Sequence, residues 1–131
     1  MSAPQDPEYE LKLMDWAAKI GSQAKVDGVK KSQIEQLIGS AELLPAHAPL
    51  ITAAFASRQA ARLGGGHNTA RMVAQAMIWL HKQNKDKAEV RRLLGLAKWV
   101  YECVENRRIP NVFNSFNEFV QFLASEGRGR G

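Results

Sequence analysis

Arg58 and Arg62 stand four residues apart in a stretch without a single carboxylate side chain: between Glu42 and Asp86 there is neither an aspartate nor a glutamate, although thirteen acids in 131 residues would place about four there. The cations of that stretch, Arg58, Arg62, Arg71, Lys82 and Lys85, therefore have no acid close to them in sequence. The chemistry this suggests is anion recognition. A guanidinium is planar, always charged and matched to phosphate oxygens, and the short neighbours Ala54, Ser57 and Ala61 would let a backbone come close. The alternative is that both arginine stems lie over the core, with their heads in water or paired with acids elsewhere. Residues 1–42 hold five Lys/Arg against seven Asp/Glu, whereas residues 43–131 hold thirteen against six. Charge gathered on one part of a domain is the footprint of a polyanionic partner such as nucleic acid; a basic surface also serves solubility.

Further cations extend the candidate set. Lys30 and Lys31 precede a helix start, where backbone N–H groups favour a phosphate. Lys87, Arg91 and Lys98 share the outward face of a later helix, and Arg107 and Arg108 follow at its C-terminal end, where they also complement the helix dipole. Other chemistries find less. Gly64-Gly65-Gly66-His67 lacks the Gly-Lys-Ser/Thr ending of a phosphate loop and follows a helix, so it reads as a hinge or helix cap. His47, His67 and His81 show neither a helical i, i+4 pair nor a cysteine cluster, so no metal is expected. No nucleophile sits on a strained turn beside a base, so neither catalytic residues nor a cofactor are expected. Cys103 reads as a small semi-buried residue at the edge of an apolar stripe. Trp16, Trp79 and Trp99 each have apolar neighbours at helical spacing, which favours core or interface over base stacking.

The elements that must position these residues are helices, and the expectation is an all-α, compact bundle of five to six of them. Asp6-Pro7 opens a helix through about Lys25, with Leu13, Trp16, Ala17 and Ile20 on one side. Ser32-Gln33-Ile34-Glu35 reads as a capping box for a second helix, with Ile34, Leu37, Ile38, Ala41 and Leu44 in a row and Pro45 as its stop. A third runs from Leu50 to Leu63. A fourth runs from after Asn68 to near Asn84, with Val73, Ala76, Met77 and Leu80 inward. Asp86 caps a fifth through about Arg107, burying Val90, Leu93, Leu94, Ala97, Val100 and Val104. Ser115 caps a short last helix with Phe116, Phe119, Val120 and Leu123 on one stripe. Residues 1–126 are expected to form one domain and 127–131 a flexible Gly/Arg tail.

The chain is 45% hydrophobic and long enough for one ordinary core. No stretch approaches the roughly 18–20 apolar residues a membrane span needs. Met1–Pro7 has neither the basic start nor the apolar run of a secretory signal, and the lone cysteine excludes an internal disulfide, so a cytoplasmic location is expected.

The order of these segments resembles the small subunit of type III CRISPR effector complexes, in particular that of the Csm complex. Gly28-Val29-Lys30-Lys31-Ser32-Gln33-Ile34-Glu35-Gln36-Leu37 is similar to that family's Lys/Thr-x-Ser-Gln-Ile-Arg helix start, with Glu35 where an arginine is common. Ala53 to Gly64 is similar in place to its Tyr-Ala-x-Gly-Arg segment, and the Leu93–Arg107 helix to its Phe-Glu-Ala-hydrophobic-Tyr stretch. The resemblance implies a non-catalytic helical protein of antiviral defence, present in several copies in a filament with other effector subunits and contacting the guide–target RNA duplex. Base pairing would read sequence while the protein holds backbone. The family's central basic segment corresponds to Arg58 and Arg62 and, less directly, to Lys30 and Lys31; Arg71, Lys98, Arg107 and Arg108 complete the candidate RNA-binding set. The alternatives are a helical adaptor whose groove takes a partner helix and whose basic middle meets an acidic protein, or a small enzyme.

Overall fold

A computed structural model describes residues 6–129, the side chains of 126–129 excepted. It consists of six α-helices, α1 (Pro7–Asp27), α2 (Lys31–Ser40), α3 (Ala48–Leu63), α4 (His67–Lys82), α5 (Lys87–Val104) and α6 (Phe116–Gly129), with a single 3₁₀ turn at Pro45–His47. No strand occurs among the described residues, so the all-α bundle expected from the sequence is what forms.

The helix ends follow from local chemistry. Asp6 accepts a hydrogen bond from the Glu8 N–H at 3.0 Å with Pro7 in the first turn, and α1 stops where Gly28 turns left-handed at φ 73°, a conformation that costs glycine little. The start of α2 differs from expectation. Lys30, not Ser32, is the extended cap residue, and Gln33, not Glu35, reaches back to its N–H at 2.9 Å. Glu35 is drawn instead to Lys98, 2.8 Å away on α5. α2 also ends at Ser40, before Pro45: the backbone beyond it tightens into turns in which the Ala41, Glu42 and Leu43 N–H groups reach the Ile38, Gly39 and Ser40 carbonyls, while the buried Ser40 hydroxyl meets the Leu37 carbonyl at 2.6 Å and the Thr52 hydroxyl at 2.9 Å. Leu44, expected in its apolar row, is half exposed.

Gly64 and Gly66 both have positive φ and turn α3 back into α4, the hinge role read from the sequence. α4 begins at His67, one residue before Asn68, and its first turn is capped from outside: Asp27, at the end of α1, accepts from the Thr69 N–H at 2.9 Å and the Thr69 hydroxyl at 2.7 Å. α5 starts from the Asp86 cap and ends at Val104, three residues short of Arg107. Asp15 accepts from the Phe116 N–H at 2.9 Å at the start of α6, and Ser115 from the Glu118 N–H at 3.1 Å. α6 continues through Gly127–Gly129, which were expected in the tail; Arg130 and Gly131 of that tail lie outside the described residues.

α1 is the spine. Leu13, Ala17 and Ile20 share one core with Leu37, Val73, Met77, Leu80, Leu93, Leu94 and Ala97. Ala18, Val100, Val104, Phe113 and Phe119 form a second cluster beneath α6. Val120, expected on the α6 stripe, is exposed, and Phe122 packs in its stead. At Gly21 the helices α1 and α5 approach so closely that a Cβ would lie 2.5 Å from the Ala97 carbonyl oxygen and 2.7 Å from the Val100 Cβ. Trp99 and Cys103 are exposed rather than in the core: the stripe from Val90 to Val104 centres on Ala97, which turns both to the far half of the cylinder.

Cross-contacts fix the helix directions. The end of α1 meets the start of α4 through Asp27 and Thr69. It also meets the end of α5, where Lys25 Nζ donates to the Glu105 carbonyl at 2.7 Å. The start of α2 meets the end of α5 through Lys31 and Glu102, and Gln59 near the end of α3 bonds Gln33 and Gln36. α1, α3 and α5 thus finish at one end of the bundle, where α2 and α4 begin.

Candidate nucleic-acid interface

That end of the bundle collects seven of the eight expected RNA-binding residues. Lys30 and Lys31 open α2, Arg58 and Arg62 lie in the last two turns of α3, Arg71 in the first turns of α4, and Arg107 and Arg108 just beyond α5. Residues separated by most of the chain converge because successive helices from α1 to α5 alternate in direction and the α1–α2 and α3–α4 connections at this end are short. Lys98 is the exception, two turns back along α5.

The α3–α4 hairpin carries an open part of this surface. Arg58, Arg62 and Arg71 are exposed, as are Ala54, Ser57 and Ala61. The alignment of Arg58 and Arg62 with Ile51 and Phe55 persists, but only the two apolar members are half-buried. Among the described residues no carboxylate pairs with Arg58, Arg62 or Arg71; Arg71 donates to the Asn68 side chain at 3.2 Å. The short side chains between the arginines leave the helix backbone accessible, so an extended anionic chain can lie along the hairpin.

The cations of α2 and α5 behave differently. Lys98 lies 2.8 Å from Glu35, whose hydrogen bond holds the lysine above its ordinary pKa while the lysine holds Glu35 below the usual carboxylate range. Lys87 and Arg91 clamp Glu42 at 3.1 and 3.0 Å, and Arg92 binds Glu89 at 2.8 Å and Glu10 at 3.3 Å. Lys31 lies 3.5 Å from Glu102, with both side chains well exposed; such a pair contributes little and leaves the lysine available. The two remaining cations of the acid-free stretch, Lys82 and Lys85, lie at the opposite end, where Lys85 Nζ sits 4.7 Å from the Tyr9 ring centroid.

Lys25 was not among the expected residues. In the last turn of α1 it reads as a dipole-complementing lysine, and only the fold brings it into the surface groove that Arg107, Arg108, Glu105 and Ile109 line. Of the acids at this end, Asp27 caps α4, Glu35 meets Lys98, Glu102 reaches Lys31, and Glu105 lines the groove beside Arg107 and Arg108. His67 and His81 lie at opposite ends of α4 and His47 in the 3₁₀ turn before α3, and no group of three or more His, Cys, Asp or Glu side chains among the described residues is arranged to hold a metal. No helix among the described residues is long and apolar enough to cross a membrane.

Searches of protein-family models, curated proteins and solved structures find no match for the chain. What fold and surface define is a class: a small antiparallel helical bundle with an acid-poor, arginine-bearing hairpin at one end.

Proposed function

We propose that the protein is a non-catalytic module that holds a nucleic-acid backbone, with Arg58, Arg62 and Arg71 on phosphates and Lys25, Lys30, Arg107 and Arg108 extending the same basic end. The observation that carries this reading is the contrast in pairing: the cations of α5 are matched to acids of α1, of α2 and the turn after it, and of α5 itself, while those of the α3–α4 hairpin have none among the described residues. The particular form we propose is the small subunit of a type III CRISPR ribonucleoprotein, in which several copies line the guide–target RNA duplex beside other effector subunits. The antiparallel bundle and the segments that resemble that family support this form. A lone copy holds RNA weakly, in the range of roughly 10⁻⁴ to 10⁻⁶ M typical of non-specific contacts, and aligned copies bind far more tightly because each added contact becomes intramolecular.

The test is titration with unrelated RNAs at several salt concentrations, for the wild type, Arg58→Glu/Arg62→Glu and Lys98→Gln. Each phosphate contact contributes about −0.7 to the log–log salt slope on single strands, so the double variant flattens the slope by about 1.4 and binds more weakly, whereas Lys98→Gln leaves both unchanged. Sequence-selective, salt-insensitive binding by the single chain would point to base readout and refute backbone holding. Absence of RNA binding both alone and in a co-purified complex would shift the function to an adaptor for an acidic protein.

A further inference from the structure

The outer side of α5, opposite the side that meets the core, carries Ala88, Arg92, Gly95, Trp99 and Glu102 at alternating spacings of four and three. This is the repeat with which one helix seats against another. Among the described residues no helix packs over this stripe, although Gly95 is half-buried. Ala88, Arg92 and Glu102 are exposed, and Trp99, at 66% exposure, is the most open large apolar side chain among the described residues. A Cβ on Gly95 would have no neighbour within 4 Å, so the backbone there is open to close approach. A groove between α2 and α5, lined by Ile38, Ala88, Gly95, Trp99 and Glu102 among others, follows the stripe. Bare tryptophan beside an open glycine on a polar-flanked stripe is the composition of an interface centre rather than of a solvated helix.

We propose that this stripe is the seat of a second copy of the same chain, forming a two-fold dimer through antiparallel α5 helices centred on position 97. The sequence of the stripe selects both the partner and the direction. With two α5 helices antiparallel about that point, Trp99 of each copy faces the space left by Gly95 of the other, and Arg92 of each faces Glu102 of the other. Both matches occur twice, as an isologous contact requires. Parallel pairing would set Trp99 on Trp99, Arg92 on Arg92 and Glu102 on Glu102, placing like charges together. The indoles supply the buried area, while the exposed charges mainly set direction and register, as rim charges do. Arg92 already holds Glu89 and Glu10 within its own chain, which presents its guanidinium in a fixed orientation, and Glu102 has only the long contact to Lys31. The stripe shares no residue with the α3–α4 hairpin, so this inference stands apart from the nucleic-acid reading, and the dimer leaves both hairpins open.

The test is sedimentation of the full chain over micromolar to sub-millimolar concentrations, with far-UV circular dichroism confirming each variant's fold. The wild type is expected to approach twice the 14.5 kDa of one chain as concentration rises, and Gly95→Gln to remain monomeric at normal helicity. Glu102→Arg alone and Arg92→Glu alone each place like charges at both ends of the contact and are expected to be monomers, whereas their mixture restores a heterodimer, since Arg faces Glu at both positions. If Arg92→Glu loses its fold along with its pairs to Glu10 and Glu89, Glu102→Arg and Gly95→Gln still decide the matter. A wild type that stays monomeric at every concentration, a Gly95→Gln chain that dimerises as the wild type does, or well-folded charge variants that dimerise separately but not together would each overturn the proposal.

Discussion

Adding one methyl group to this protein is expected to have opposite effects at two glycines of the bundle. At Gly21 the new Cβ would lie 2.5 Å from the Ala97 carbonyl oxygen and 2.7 and 2.9 Å from Val100 side-chain atoms. The nearest obstacle is backbone, so no side chain can swing away, and α1 and α5 must separate along their shared core. Overpacking of this kind costs about 1–3 kcal/mol and sometimes more; with an immovable carbonyl, about 3 kcal/mol is the expectation for Gly21→Ala. At Gly95, in the middle of α5, the Cβ meets nothing within 4 Å, and replacing a mid-helix glycine gains about 0.5–1 kcal/mol. Unfolding entropy of about 2.1 cal/mol/K per residue gives the chain about 0.28 kcal/mol/K, so 1 kcal/mol moves the melting point by about 3–4 °C. Gly21→Ala should therefore melt about 10 °C lower and Gly95→Ala about 2–4 °C higher. The assay is thermal unfolding followed by circular dichroism at concentrations low enough to keep the chain monomeric. A Gly21→Ala protein that melts with the wild type would refute the close α1–α5 contact, and with it the helix spacing that carries Lys25 to the Glu105 carbonyl at the basic end.

Asp27→Ala removes the external cap of α4, which should cost about 1–2 kcal/mol and lower the melting point by about 4–7 °C; hydrogen exchange should show the His67–Arg71 turn opening first. Burial tends to raise the Glu89 pKa, but the hydrogen bonds from Tyr9, at 2.6 Å, and Arg92 outweigh it and hold the carboxyl below its usual range. The stability this lends is complete above the unfolded pKa of about 4.3 and is lost as pH falls through the lower folded value, so Glu89→Gln should flatten the acid limb of a stability-versus-pH curve and leave its neutral-to-basic part parallel to wild type. Burial, followed by that same carboxylate, pushes the Tyr9 phenol well above its ordinary pKa; a phenolate absorbance step for Tyr9 in the folded protein near pH 10 would contradict the arrangement. Tyr9→Phe should cost about 1 kcal/mol while keeping the ring stacked on Trp79, 5.0 Å away.

The fold was legible because its signals are local. Asp6-Pro7, the Gly64–Gly66 hinge and the Asp86 cap act within a few residues of themselves, and the apolar stripes of α4 and α5 repeat at helical spacing. The misreadings arose where a distant partner overrode a local preference. Glu35 reads as half of a capping box until Lys98, 63 positions later, takes it, and Gln33 then serves Lys30. Leu44 continues the apolar row of α2, but the backbone tightens into turns after Ser40, whose hydroxyl is tied to Thr52 of α3, and the helix ends first. Trp99 has apolar neighbours in sequence, yet one position's difference in angle separates a core residue from a bare one.

The candidate surface was legible in the same uneven way. Composition alone located the acid-free stretch, because absence of carboxylates over two consecutive helices survives any folding of those helices upon each other. Composition could not tell which remaining cations stay available, since availability depends on acids far away in sequence. Arg91 and Glu42 are 49 positions apart and 3.0 Å apart in space, and Lys98, far along the sequence, meets Glu35 at 2.8 Å. Lys98 and Arg58 read alike as exposed cations on helix faces; α2 packs against both their helices, but its Glu35 meets Lys98, and no carboxylate among the described residues pairs with Arg58. The same order explains why the basic residues form an end rather than a stripe. With five helices alternating in direction, the segments around residues 30, 62, 70 and 107 must all fall at one end, so a polyanion lying there touches four stretches of chain at once. The double substitution Arg58→Glu/Arg62→Glu tests the α3 stretch of these. Lys30→Glu/Arg108→Glu tests whether the others act with it: two further cations on one continuous surface should again flatten the salt slope by about 1.4 on single-stranded RNA, and an unchanged slope would confine the interface to the α3–α4 hairpin.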